Sequence, residues 1–426
     1  MESETGRCYV RLVTTAPKPP VLVLAPPRFI GPLGVMRSLR ALGARVYGLA
    51  HDELSIAGSS RYCAGTFAAG RNGRPVGSPE ATTLEQLGEA GRRLGAGAIL
   101  VAGSDEWSVF VAKHAATLAE FFRFPATSLE LTETLASKSG LHDLARLHGV
   151  PTPQIAVPSG DAELVEIGKT LRFPVMLKPI VSHPGSQGLE LAETEAQLGP
   201  LYASMNDPGN IACQEYIPGS DLDVWIFNGY FDRRSRCLAA FTGRKIHQHP
   251  ARMGLCVLGV SIENLDVIAL TERFLGRLGY HGIVDIGYRW DRRDGCYKVL
   301  DINPRLGGAF RMFVDANGLD VARAMYLDMI GEPVPKVIAL DGRKWVLEAG
   351  EMLSFRHYRR EGMTWRDWLA LMRGVREGAT FALRDPGPFI AAMRIVVGDT
   401  LRARVHRHRP GWMARLTRLR SARQGA

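Results

Sequence analysis

Apolar and polar positions change rhythm twice along this chain, and each change marks a different kind of unit. Residues 1 to about 19, which run into Pro17, Pro19 and Pro20, show no apolar periodicity and predict a loose arm. Val21 to Ala25 is then a continuous apolar run of strand length, Gly31 to Leu42 has a helical period, and Arg45 to Ala50 and Ala98 to Val101 read as further strands. With a helix expected over Val109 to Glu120, strands alternate with helices, as in a parallel sheet of the α/β type.

From Leu131 the pattern predicts one helix to about His148, a break at Gly149 to Pro153, and strands over Phe173 to Pro179 and Ile211 to Ile217. Asp223 to Ile302 reads mainly as strand, interrupted by a helix from about Leu265 to Leu278. Gly331-Glu332-Pro333 closes this second unit. An extension with Trp345, Trp365, Trp368 and the turn Arg384 to Pro388 follows from about residue 336.

Composition narrows the function. The 426 residues are 46% hydrophobic and 23% charged, enough for two or three packed units. The net charge of +10 suggests nucleic acid until it is located: eight arginines from Arg402 to Arg423, with no acid after Asp399, leave the rest near +2. A cytoplasmic protein is expected, since no apolar stretch approaches a membrane span and Glu2 and Glu4 replace the basic start of a signal peptide. Six cysteines without a CxxC pair read as reduced thiols. In the tail, Trp412, Leu416 and Leu419 suit an amphipathic helix on an anionic membrane, and a basic terminus without structure suits the residues equally well.

The candidate chemistry centres on Asp301-Ile302-Asn303-Pro304-Arg305. Asp301 and Asn303, two apart on a strand, share a face. A turn at Arg292-Arg293-Asp294-Gly295 folds that strand against Gly282-Ile283-Val284-Asp285, which would set Asp285 beside Asp301. Three hard oxygen donors on one face match what Mg²⁺ on nucleotide phosphates requires. Pro304 turns the chain out of the strand, so Arg305 could face the same site, where a guanidinium suits a phosphoryl group or a carboxylate. A plain Asn-Pro turn with Arg305 in solvent is the bland alternative.

Lys178 alternates against Val175 and Leu177 and precedes a loop whose Ser182, Gly185, Ser186 and Gly188 could turn backbone N–H groups onto phosphate. Gln214 to Asp221 is a strand broken at Pro218-Gly219, able to read an adenine through its backbone and a ribose through Asp221, or simply to end in a turn. Gly31-Pro32-Leu33-Gly34, with Asp52 further on, lacks the glycine spacing of a dinucleotide site and reads as a tight strand-to-helix turn. His247-Gln248-His249 reads as surface or substrate-side polar groups rather than a metal pair.

Taken in order, Lys138, Lys178, the Gly-Ser loop, the Gln214 to Asp221 hinge, Asp285 and Asp301 to Arg305 resemble the ATP-grasp superfamily over about residues 20–330. The style is most similar to its carboxylate-amine ligases, which include D-aspartate ligase and the ATP-binding domains of carbamoyl-phosphate synthase. The resemblance implies a mixed α/β and α+β chain. A Rossmann-like N-terminal domain would cover 20–125, a two-lobed ATP-grasp domain 126–335, and a C-terminal helical extension with its basic tail 336–426. Lys138 and Lys178 would hold ATP phosphates, Gln214, Glu215 and Ile217 the adenine, and Asp221 the ribose. Asp285, Asp301 and Asn303 would ligate Mg²⁺ or Mn²⁺, and Arg305, with Lys245 as a weaker match, would steady the transferred phosphoryl group.

The implied activity is ATP-dependent activation of a small-molecule carboxylate as an acyl phosphate and transfer of its acyl group to an amine. Nucleic acid is not expected, and relatives are often homodimers. A catalytically weak sensor or scaffold, peripheral to a membrane through the tail, stays open. The family usually places Glu where this chain has the shorter Asp301, and often an acid where it has Gln214.

Overall fold

A computed structural model describes residues 18–51, 55–180, 189–205, 208–252 and 254–407. Its strands form three sheets. The first contains β1 (Val21–Leu24), β2 (Val46–Leu49), β3 (Cys63–Phe67) and β4 (Ile99–Ala102), all parallel, in the order β3-β2-β1-β4. Every residue of β1 is buried, as an inner strand covered on both faces demands. The helix Gly31–Leu39 follows β1 with proline in its first turn, where no N–H is needed. Ser104 caps the helix Asp105–Lys113 by accepting the Trp107 N–H.

The second sheet joins β5 (Ile155–Ala156), β6 (Val175–Pro179), β7 (Glu190–Ala192) and β8 (Ile211–Glu215) in the order β5-β8-β6-β7, antiparallel throughout. The helices Asp161–Thr170 and Glu195–Ser204 bury Leu164, Ile167 and Leu198 against Val175 and Leu177. The third sheet has seven strands: β9 (Val224–Phe231), β10 (Cys237–His249), β11 (Leu255–Ser261), β12 (Gly282–Asp291), β13 (Cys296–Asn303), β14 (Lys344–Val346) and β15 (Val375–Gly378). Their order is β13-β12-β9-β10-β11-β14-β15.

Two expectations need correction. The single helix from Leu131 to His148 is two helices, Leu129–Ala136 and Lys138–Leu147. Ser137 between them is extended and accepts the Gly140 N–H, a local bond that competes with helix continuation. The extension, expected to be helical, also contributes β14 and β15 to the large sheet. β14 pairs with β11, which would otherwise present an unpaired edge of backbone donors and acceptors.

The extension's helices, Glu348–Arg360, Trp365–Met372 and Gly387–Arg407, lead back to the first sheet's side of the molecule. There the Ser60 hydroxyl donates to Asp385 at 2.7 Å, and Arg37 donates to the carbonyls of Gly378, Ala379 and Thr380. Glu377 on β15 accepts a forked pair of hydrogen bonds from the half-buried Arg311, both 2.9 Å. Among the described residues no helix is long and apolar enough to cross a membrane.

Candidate active site

The register of β12 and β13 decides which side chains meet. Near the turn, Asp291 pairs with Cys296 and Tyr288 with Val299; beyond a shift at Gly287/Tyr288, Gly287 pairs with Asp301 and Asp285 with Asn303. Leu300 is the extra residue. Were Leu300 paired with Gly287 in a regular ladder, Asp285 would lie opposite Ile302, and Asp301 and Asn303 would point to the other face, because a one-residue slip inverts a strand. The bulge therefore brings Asp285, Asp301 and Asn303 onto one face. The neighbour of Asp285 is Asn303, not Asp301 as the turn alone suggested.

Glycine makes room for this arrangement. A Cβ on Gly287 would fall 2.2 Å from Asp301 Oδ1, and one on Gly307 would fall 2.5 Å from the Asp285 carboxyl carbon. Asn303 Nδ2 donates to the Asp285 carbonyl and to Asp301 Oδ2, both 3.1 Å, while its Oδ1 accepts from Arg305 at 3.0 Å. Asp285 is held above the usual carboxylate range, at about 6, mainly by burial; Arg305 opposes the shift and Asp301 adds to it.

The donor set can be weighed against a divalent cation. No trio of His, Cys, Asp or Glu suited to a metal occurs among the described residues. Here the set is two carboxylates and an amide, hard oxygens that suit Mg²⁺ when phosphate and water supply the remaining positions. Asn228 on β9 donates to Asp285 Oδ1 at 3.2 Å, and its own buried Oδ1 has no hydrogen-bond partner. A half-buried carboxylate near a second one, beside an unsatisfied buried amide oxygen, is an environment that a cation relieves. The residues fit the ion.

Two lysines approach from the side of the second sheet. The break at Ser137 places Lys138 at the start of its helix, where Nζ donates to the Pro179 carbonyl at 2.9 Å. Lys178, on β6, is buried, and burial together with the charge of Lys138 lowers its pKa to about 7, against an opposing pull from Asp301. Burial also lowers Lys138, again opposed by Asp301. Two desolvated ammonium groups that repel each other make a site for a polyanion. The loop residues Ser182, Gly185, Ser186 and Gly188 lie outside the described residues.

Other expected contacts are engaged within the fold. Glu215 accepts from Arg293 at 2.7 Å and lies 3.4 Å from Lys298, which fastens β8 to the β12–β13 turn. Gln214 and Ile217 are buried on either side of it. Asp221 accepts from Gln248 Nε2 at 2.7 Å and from the Tyr358 hydroxyl, so both of its oxygens are occupied. Lys245 donates to Gln248 Oε1 and the Gly254 carbonyl and lines the same cavity as Asp285 and Arg305. His247 is not at the surface. Covered by the extension, it lies 2.8 Å from Glu351 and stacks on Tyr358 with ring centroids 4.1 Å apart.

Sequence reading missed Asn228, although a lone amide in the apolar run Val224–Phe231 was a signal. It also missed Asp105, which accepts from Arg305 Nε at 3.0 Å across 200 residues of chain. The cavity beside the Asp285 face measures about 370 Å³ and is closed partly by Trp345, Ala392 and Ile395 of the extension.

No family model matches the chain. It is 25% identical over 247 residues to the D-aspartate ligase of Enterococcus faecium, covering 54% of this chain and 58% of that protein. It is also 20% identical over 210 residues to the N-terminal section of the carbamoyl phosphate synthase large chain of Methanopyrus kandleri, covering 46% of this chain and 36% of that one. The matches thus span about half or less of these relatives' length. The biotin carboxylase domain of the Hydrogenobacter thermophilus 2-oxoglutarate carboxylase, solved with MgADP and bicarbonate, superposes with a TM-score of 0.57 at 16% identity, over 76% of this chain and 72% of that one. The resemblance to ATP-grasp ligases is borne out, and the chain shares their fold.

Proposed function

We propose that this chain is an ATP-dependent ligase that activates a small-molecule carboxylate and joins it to an amine. The observation that carries the reading is the bulged β12–β13 pair, which turns Asp285, Asp301 and Asn303 toward one cavity shared with Arg305 and Lys245. Asp285, Asp301 and Asn303 would hold Mg²⁺, which offsets phosphate charge and orients the nucleotide. Lys138 and Lys178 would neutralise ATP phosphates, and Arg305 would steady the phosphoryl group as it transfers. Among the described residues, Asp301 already accepts a hydrogen bond from Asn303, so its shorter side chain is anchored within the face.

In the first step a carboxylate oxygen attacks the γ-phosphorus, the bond from that phosphorus to the bridging oxygen breaks, and ADP leaves. An amine nitrogen then attacks the acyl carbon, the acyl–oxygen bond breaks, phosphate leaves with its electron pair, and the nitrogen loses a proton. Glu215 and Asp221, with their oxygens engaged, support the hinge through structure, and adenine would be met by the backbone around Gln214 and Ile217. The units proposed for this work are 20–125, 126–335 and the extension, with β14 and β15 as its anchor. A homodimer and a membrane-surface role for the tail are further proposals, tested by light scattering and by vesicle sedimentation after deletion of residues 408–426.

ADP release from Mg-ATP with pooled carboxylic acids and amines, beside an Asp285→Asn control, tests the central reading. Substrate-stimulated ADP that the control abolishes supports it. ATP binding without turnover under every pool would move the reading to a sensor or scaffold.

A further inference from the structure

We infer that the carboxylate activated here carries an apolar body, seated in the cavity that the C-terminal extension closes; the inference rests on the ligase reading above. The cavity, about 370 Å³, lies within the range of small-molecule pockets. Its charged end holds Asp285, Asp301, Asn303, Arg305 and Lys245, where a carboxylate must lie to reach a phosphoryl group. Away from that end the wall changes character. Ile30 and Ile56 come from the side of the first sheet, and Trp345, Leu347, Ala392 and Ile395 come from the extension.

Among the described residues the extension contributes no charged side chain to this lining. Its polar member, Thr380, is already engaged, since its hydroxyl donates to Glu348 at 2.8 Å. Arg28 also lines the cavity, and its guanidinium is 2.8 Å from Asp399 on the last helix, both half-exposed. A second carboxylate or an ammonium on the substrate would find no partner along the apolar wall and would lose its hydration there. An alkyl or aryl chain would instead replace water against Trp345, Leu347 and Ile395.

The test uses the full chain with Mg²⁺ and a non-hydrolysable ATP analogue, titrated calorimetrically with octanoate, 4-phenylbutyrate, acetate and succinate. The expected result is that octanoate or 4-phenylbutyrate binds roughly tenfold or more tightly than acetate and succinate. Ala392→Trp, which fills the cavity from the last helix, should erase that preference while the analogue still binds; Ile395→Lys, at a half-buried position, serves if the first variant does not fold. Succinate binding as well as octanoate, or an unchanged preference in both variants, overturns the inference. ADP release is measured on the same samples. Turnover with succinate alone defeats the apolar class and leaves the ligase reading standing, whereas tight octanoate binding with no ADP from any acid and amine supports the ligand class and defeats the ligase reading.

Discussion

Arg305 Nε donates to Asp105 Oδ1 at 3.0 Å, tying the end of the β13 segment to the first turn of the helix Asp105–Lys113 that follows β4. The same guanidinium also donates to Asn303 Oδ1 and to the Leu306 carbonyl. Its direction is therefore set by two distant segments of the chain at once. Because Asp105 is about half exposed, removing its charge should change stability little. Asp105→Ala is expected to lower kcat for ADP release roughly tenfold through a misplaced Arg305, with an unchanged melting temperature. Steady-state kinetics beside a thermal melt check both parts, and an equal loss in Asp105→Asn would show that charge, not mere length, does the positioning.

Gly287 offers a change that moves a ligand without breaking the fold. In Gly287→Ala the new methyl would meet Asp301 Oδ1, the end of an exposed side chain that can swing aside. The expectation is a melting temperature close to the parent's and a Mg²⁺ requirement raised about tenfold or more. Titrating Mg²⁺ in the ADP assay measures it; a parent-like Mg²⁺ curve would remove Asp301 from the metal site.

Lys178 predicts a pH dependence with a definite sign. Its folded pKa of about 7 lies below the ordinary 10.5, so between those values the folded chain binds fewer protons than the unfolded one and stability rises with pH. Nucleotide phosphates favour the charged form. ATP affinity should then be level below about pH 7 and fall above it, by at most about tenfold per unit. Lys178→Arg, charged throughout, should flatten this decline. Calorimetry at several pH values and in two buffers would also register the proton taken up on binding.

Asp221 separates a structural role from a nucleotide role. Its oxygens accept from Gln248 and Tyr358, and Tyr358 belongs to the extension helix Glu348–Arg360. Asp221→Ala should cost roughly 2–4 kcal/mol of stability by leaving both donors unpaired in a buried place. Denaturant melts would show the loss, while affinity for an ATP analogue changes by less than about twofold. A large loss of nucleotide affinity in a protein of unchanged stability would restore Asp221 to the ribose.

What the chain revealed in advance follows the range of the interactions. Asp301 and Asn303 share a face because alternation along a strand is local, and the Arg292 to Gly295 turn announced the hairpin. The bulge at Leu300 was hidden, since nothing in Val299-Leu300-Asp301 distinguishes a bulged leucine from a paired one. Ser137 was legible in principle as a cap, but the apolar period on both sides continued across it. Asp221 read as open to a ribose and His247 as a surface or substrate-side group because the helix that covers them lies more than a hundred residues away. The extension's strands were obscured by shortness: Lys344–Val346 has three residues, too few to establish an alternation.

The extra residue at Leu300 also bears on descent. A chain that lost it would still pair Val299 with Tyr288 and Asp301 with Gly287, and would keep Asn303 opposite Asp285 on a regular ladder. A single codon can thus be gained or lost at this place while the three donors keep their common face, and only the extra twist and bend of a bulge changes. In a distant homologue that keeps both aspartates and the asparagine, a spacing shorter by one residue is therefore compatible with the same three donors on one face.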